Sequence, residues 1–377
     1  TPPPGATSPC RTNPASKPST TRLTRDRPAW RRGCRGRRST RPSGPAPCFT
    51  IPSAWPCRPT TSGCSSDRPA PSAELRSRES LQRQRELGSA SCLQRGVRVR
   101  AANDGPMVNY KAVGSGSGRK AYLDQTVNFG ASDDPMISRD RRKMKRGVVQ
   151  IPMIGGTIAF GYNKSGCELK LTQEQAVKVA MSAIKDWSEL GCAAGPISWV
   201  HRSDGSGTTK AFTSSMAAFS SSWTLGTGKA VNWPSGVGAK GNAGVAAVIK
   251  KREGAIGYLN QSYIRGSIKA AALQNLAGEF VKPSVEAGAI ALNQITLDQN
   301  LAGENPNPSA AGAYPIATLT WVLAYERGNG PDAATIKDVF NFMLSDEAQN
   351  VAPRLGFVPL RGDILAKSKA AVNKIGE

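Results

Sequence analysis

Residues 197–219 constrain this chain more than any other stretch. Ile197, Trp199 and Val200 form an apolar run of strand character. His201-Arg202-Ser203-Asp204-Gly205-Ser206-Gly207-Thr208-Thr209 follows, and residues 209–219 can be helical. A strand, a Gly-rich turn and a helix start together make an anion site. The first turn of a helix leaves backbone N–H groups without partners, and the aligned peptide dipoles place partial positive charge there. Gly205 and Gly207 allow close backbone approach, Ser206 and Thr208 add hydroxyl donors, and Arg202 can fork two N–H bonds onto an oxyanion. Asp204 is placed to hold the guanidinium plane. The order G-x-x-x-x-G-K-[ST] is absent, so this is not the phosphate loop of nucleotide hydrolases.

A Gly/Ser-rich turn by itself is as consistent with a simple connector. Four further segments accompany it. Val108-Asn109-Tyr110-Lys111-Ala112-Val113-Gly114-Ser115-Gly116-Ser117-Gly118 lies upstream, then Val127-Asn128-Phe129-Gly130-Ala131-Ser132-Asp133. Downstream come Val231-Asn232-Trp233-Pro234 with Gly236-Val237-Gly238-Ala239-Lys240-Gly241-Asn242, and Gly254-Ala255-Ile256-Gly257-Tyr258. In this order, from about Val108 to Leu360, the chain resembles the phosphate-binding subunit of bacterial high-affinity phosphate ABC importers, the PstS family.

That resemblance implies a fold, a function and a site. The fold is a bilobed α/β clamshell of the type II periplasmic-binding-protein kind, each lobe a mainly parallel sheet with flanking helices. Residues 104–158 with 318–377 are expected to form lobe I and residues 159–317 lobe II, the chain crossing near Ala159–Tyr162 and Tyr314–Leu319. Ser115 would donate to phosphate at a helix start, and Asp133 would accept the proton that phosphate still carries. Arg202, Ser206, Gly207 and Thr208 would donate, with Asp204 orienting Arg202. Physical logic supports the role of Asp133: a buried carboxylate repels an oxyanion unless the anion brings a proton, so sulfate would leave an acceptor unpaired. An ordinary turn ahead of Pro135 is the plainer reading of the same residue.

The net charge of +23 invites a nucleic-acid reading, but the charge is uneven. Residues 1–103 hold 20 Arg and Lys, 19 of them Arg, against 5 Asp and Glu; residues 104–377 hold 30 against 22. The first segment also carries six of the eight cysteines (Cys10, Cys34, Cys48, Cys57, Cys64 and Cys92), no Tyr or Met, and no periodic run able to build a core. Three readings compete for this irregular, disordered or non-native extension: a basic arm that binds polyanions, a cysteine-stapled module, or a GC-rich gene read in the wrong frame. The composition favours the last. The PstS family opens with a Gly-Ala-Gly-Ala turn whose amides complete the site. That motif is missing in frame here, although the codons for Ser43–Phe49 permit it when shifted by two bases. A site short of one wall is expected to bind phosphate weakly.

Periodicity fills in the rest. A helix is expected over 119–125 and strands over 148–154 and 157–162. Thr172, with Gln175 three residues on, reads as a capping box opening a helix whose stripe Ala176, Val177, Ala180, Met181, Ile184 and Trp187 runs on until Gly191. Val245, Val248 and Ile249 mark a short helix before a strand at 255–259, and Ile336, Val339, Phe340, Met343 and Leu344 a second amphipathic helix. Strands alternating with helices argue for α/β layers. His201 is the only histidine, which leaves no His-based metal cluster or Ser/His/Asp set, and no cofactor is expected. Cys167 and Cys192 can pair if their Cα atoms lie within about 7 Å. No apolar run long enough to span a membrane and no signal peptide is visible.

The leading expectation is therefore a monomeric, periplasmic or cell-surface binder of inorganic phosphate that serves the permease subunits of an ABC importer and binds no nucleic acid. The alternatives are a surface phosphate sensor and a secreted phosphate-ester hydrolase, which would need an open side for the ester group.

Overall fold

The strands of the protein, in chain order, are β1 (Phe129–Ser132), β2 (Val149–Asn163), β3 (Lys170–Leu171), β4 (Ser198–Arg202), β5 (Val237–Ala239), β6 (Ala255–Asn260), β7 (Lys269–Ala270), β8 (Ala272–Gln274), β9 (Phe280–Val281) and β10 (Ala317–Ala324). They come from a computed structural model that describes Leu93, Gly105, Pro106 and residues 108–377. The readings made above for the extension, including Ser43–Phe49 and its six cysteines, lie outside the described residues.

β2 organises the molecule. It is fifteen residues long and buried almost throughout. Its first part pairs antiparallel with β10, from Val149 opposite Ala324 to Thr157 opposite Ala317. Its second part pairs antiparallel with β6, from Ile158 opposite Asn260 to Asn163 opposite Ala255. The sequence suggests two strands here, but Gly155 and Gly156 carry one strand straight through. A side chain at Gly155 would strike Leu292, and one at Gly156 would come within 2.6 Å of Asn260 Nδ2. Small residues are required where neighbours close over the strand.

The main sheet runs β1-β10-β2-β6-β4-β5 with β7 also on β2, and β3-β8-β9 form a separate small sheet. Parallel pairing occurs at β4–β5, β4–β6 and β3–β8. The pairings β1–β10, β10–β2, β2–β6, β2–β7 and β8–β9 are antiparallel. The expected mainly parallel sheet is thus corrected to a mixed one. The reason is that β2 is shared and its long neighbours β6 and β10 both return against it, and periodicity carries no information on strand direction.

Two apolar cores flank this shared strand. One includes Val149, Ile151, Met153, Trp321, Ile336, Val339 and Phe340, and Leu93, which is helical and buried, belongs to it. The other includes Phe160, Val177, Trp187, Trp199, Phe212 and Tyr258. The helices that matter for the site are α1 (Ser115–Leu123), α2 (Ser138–Arg141), α3 (Gln173–Ala180), α4 (Gly207–Phe219) and α5 (Gly241–Lys251). The capping box of α3 forms as read, Thr172 Oγ1 accepting the Gln175 amide at 3.1 Å and Gln175 Oε1 accepting the Thr172 amide at 3.0 Å. The helix nonetheless ends at Ala180 rather than running to Gly191. Ser182 turns left-handed (φ 59°), and Asp186 caps a separate 3₁₀ turn, Trp187–Leu190, by accepting the Ser188 amide at 2.9 Å. The apolar stripe still reaches one core, because Val177, Ala180, Ile184 and Trp187 all pack there. Cys167 and Cys192 form a disulfide with Cα atoms 5.4 Å apart. Among the described residues no helix is long and apolar enough to cross a membrane.

Candidate functional site

α4 begins at Gly207, two residues earlier than the periodicity suggests, and Ser206 is its N-cap, accepting the Thr209 amide at 3.1 Å. The amides of the first turn, at Gly207 and Thr208, follow the end of β4 at Arg202 across a short turn, residues 203–206. That strand delivers Arg202, which is buried. Its Nε donates to Asp204 Oδ1 at 2.7 Å and its Nη2 to Asp204 Oδ2 at 2.6 Å, a two-pronged pair that fixes the guanidinium plane. The Gly241 amide at the start of α5 donates to the same carboxylate at 3.0 Å. Burial works to raise the Asp204 carboxyl, and the bonds from Arg202 and Gly241 more than offset it, holding it below the usual carboxylate range. Nη1 of Arg202 points to Thr208 Oγ1, 3.5 Å away.

The facing wall is assembled from remote parts of the chain. α1 starts at Ser115, with Gly114 as N-cap, rather than at residue 119, so Ser115 occupies the first helical position. Its Oγ accepts the Asp133 amide at 3.2 Å. Asp133 follows β1, and its Oδ1 accepts a bond from Thr320 of β10 at 2.7 Å while Oδ2 accepts one from Thr208 at 3.3 Å. Burial raises the Asp133 carboxyl above its ordinary range, against the lowering influence of Thr320, Arg202 and Thr208. An aspartate in this setting resists ionisation and is sensitive to any proton brought near it.

The two walls meet at glycines. The Gly116 amide donates to Gly205 O at 2.7 Å, and a side-chain carbon at Gly116 would lie 2.9 Å from the Gly205 Cα. One at Gly207 would lie 2.5 Å from Ser115 Oγ. Ser115, Asp133, Arg202, Asp204, Ser206 and Thr208 all line one cavity of about 980 Å³, and Gly207 sits against Ser115 and Asp133. Every residue singled out for the site is therefore brought to one place. Among the described residues no group of three His, Cys, Asp or Glu could hold a metal. His201 turns away from this constellation: its Nδ1 lies 3.0 Å from Arg202 O and its ring stacks on Trp233.

The sequence reading missed several contributors. Thr320 and Thr318 approach Asp133, Thr318 Oγ1 lying 3.3 Å from its carbonyl oxygen. The Tyr258 hydroxyl accepts the Arg202 amide at 3.2 Å and shares a bond with Thr209 Oγ1 at 2.7 Å; burial, chiefly, pushes its pKa up to about 12, so it stays a neutral phenol. Asn242 Nδ2 lies 3.5 Å from Thr208 Oγ1. Tyr258 and Asn242 belong to segments that carried the resemblance, which was the available signal. Thr318 and Thr320 had none, because they lie on an ordinary-looking apolar strand.

The chain is similar to known proteins in sequence and in fold. Residues 91–347 match the PBP superfamily domain. The chain is 34% identical over 285 residues to the phosphate-binding protein PstS of Pasteurella multocida, spanning 71% of this chain and 82% of that protein. It is 33% identical over 287 residues to the Haemophilus influenzae protein of the same name, spanning 71% and 84%. Its fold is similar to that of the high-affinity periplasmic phosphate-binding protein PfluDING solved with phosphate, at a TM-score of 0.61 and 19% identity over 72% of this chain and 93% of the other. Fold, match and identity converge: the chain belongs to the PstS family of phosphate-binding proteins, within the PBP superfamily.

Proposed function

We propose that this chain captures inorganic phosphate between its two walls, outside the cytoplasmic membrane, and hands it as a monomer to the permease subunits of an ABC importer. The jaws are residues 104–158 with 318–377 and residues 159–317, joined through the shared strand. The observation that carries the reading is the opposition of a planar, carboxylate-held Arg202 and a helix start to Asp133, a carboxyl raised by burial. Arg202, the Gly207 and Thr208 amides and the hydroxyls of Ser115, Ser206 and Thr208 supply donors to the anion. Asp133 accepts a proton that mono- or dibasic phosphate still carries and sulfate lacks. An anion without that proton faces a carboxylate with no hydrogen between them, and repulsion excludes it. The sequence relatives named for phosphate binding support this choice of anion.

Titration calorimetry with phosphate and sulfate at neutral pH tests it. Binding of phosphate with sulfate excluded at a hundredfold higher concentration is the expected result. Equal binding of both anions, or of neither, defeats the proposal.

A further inference from the structure

Beside the anion seat lies a second set of charges that the binding chemistry does not use. Asp134, next to Asp133, is buried, and its Oδ2 accepts Arg119 Nη1 of α1 at 2.8 Å. The same Oδ2 accepts Lys229 Nζ at 2.7 Å. Arg119 is itself shared with Asp140 of α2 at 3.0 Å. Asp134 is held rigidly: Ser132 Oγ accepts its amide at 3.0 Å and donates to its carbonyl at 2.8 Å. Lys229 arrives from the other side. It lies between α4 and β5, in a segment whose Trp223 and Trp233 pack with the Phe212 core, whereas β1 packs its Phe129 and Ala131 on the Trp321 core. Its carbonyl accepts the Ser206 amide at 2.9 Å, so its backbone is tied to the N-cap of the anion seat.

We propose that Lys229 is an affinity-determining residue: its ion pair with Asp134 latches the two walls of the cleft together and sets how long phosphate stays bound. The inference rests on the phosphate reading for its ligand. Arg119 and Asp134 are fixed within one wall, so Lys229 is the member that must part from Asp134 when the cleft opens. Neither Lys229 nor Asp134 lines the cavity that Ser115, Asp133 and Arg202 share. The pair acts by favouring the state in which both walls reach the ligand, and a ligand that needs that state gains apparent affinity in proportion to its population. Lys229 keeps a third of its side chain in water, so the pair is open to screening by salt.

The test uses the full chain with Lys229→Met and Lys229→Arg. Release of phosphate is followed by stopped flow at low and high ionic strength, and exchange of the Gly116 amide, which donates across the cleft to Gly205, is measured in phosphate-free protein. Lys229→Met is expected to release phosphate about tenfold faster with little change in association rate, as for loss of a charge pair that acts after encounter. Gly116 should lose protection in the same variant. Lys229→Arg should restore both, and salt should speed release from the parent but not from Lys229→Met. Unchanged release together with unchanged Gly116 exchange overturns the latch. If the parent binds no phosphate, the functional reading fails while Gly116 exchange still decides the latch.

Discussion

The two walls of the cleft are built in opposite ways. The Arg202 wall is continuous in sequence: strand end, guanidinium, its carboxylate partner, N-cap and helix start fall within Arg202–Thr209. The Asp133 wall gathers Ser115, Asp133 and Thr320, and 187 residues separate Asp133 from the threonine that donates to it. A continuous wall needs only local geometry to be correct. A gathered one inherits its chemistry from sheet register, here β1 against β10 with Ser132 opposite Trp321. The first should fail all at once when its central charge is lost, and the second should be tunable one contact at a time.

The largest effect is expected from Arg202→Ala. It removes the charge-assisted donors and leaves Asp204 part-buried without its cation, so phosphate affinity should fall by about 10²–10³-fold or more, and stability should drop as well. Calorimetry and thermal unfolding together check this. A small loss would mean that the continuous wall is not where binding energy is concentrated.

Asp133→Asn comes next and should move stability and binding in opposite directions. The folded protein raises this carboxyl above its unfolded value. Its contribution to stability is therefore fully present below the unfolded pKa and is lost as pH rises through the folded one. Replacing it by an amide should raise the melting temperature of the phosphate-free protein at neutral pH. The amide keeps one uncharged acceptor oxygen in place of the carboxylate's two and adds an NH2 that can donate to a fully deprotonated anion, so phosphate should bind more weakly and sulfate should begin to bind. In the parent, affinity should fall as pH drops through the raised Asp133 value, because the protonated carboxyl no longer accepts the phosphate proton. A variant that neither stabilises nor relaxes selectivity would remove Asp133 from the role of proton reader.

Thr320→Val sharpens the comparison further. The Thr320 bond is the strongest of the influences that oppose burial at Asp133. Its loss should shift the acid-side decline of phosphate affinity to higher pH and cost about 1–2 kcal/mol at neutral pH, roughly tenfold. An unshifted pH profile in the affinity titrations would show that the remote threonine does not tune the carboxyl.

The smallest effect is expected from Ser206→Ala. The serine caps α4, and its loss should lower unfolding free energy by about 1 kcal/mol in denaturant titration. If the hydroxyl also serves the anion, affinity falls together with stability; a change in stability alone would assign Ser206 to the cap and not to the ligand.

Much of this contrast was legible in the sequence, and the boundary of what was legible is physical. Residues within one turn of each other are bound by local rules, so the strand end, Gly-rich turn and following helix around Arg202 could be read directly, although Ser206 as N-cap and the start at Gly207 were not; the Thr172–Gln175 capping box was read in full. Apolar stripes placed Val177, Trp187, Ile336 and Phe340 in cores because burial follows periodicity. Asp133 and Ser115 were legible only through family resemblance, since nothing near them in sequence states what faces them. Tertiary structure alone decided that 149–163 is one strand shared by both cores, and that its long neighbours return antiparallel. It alone placed Thr320 against Asp133, Tyr258 under Arg202, and Lys229 across from Asp134. Those contacts depend on strand direction, register and the approach of two walls, which are properties of the whole chain's packing and have no signature in any short stretch of it.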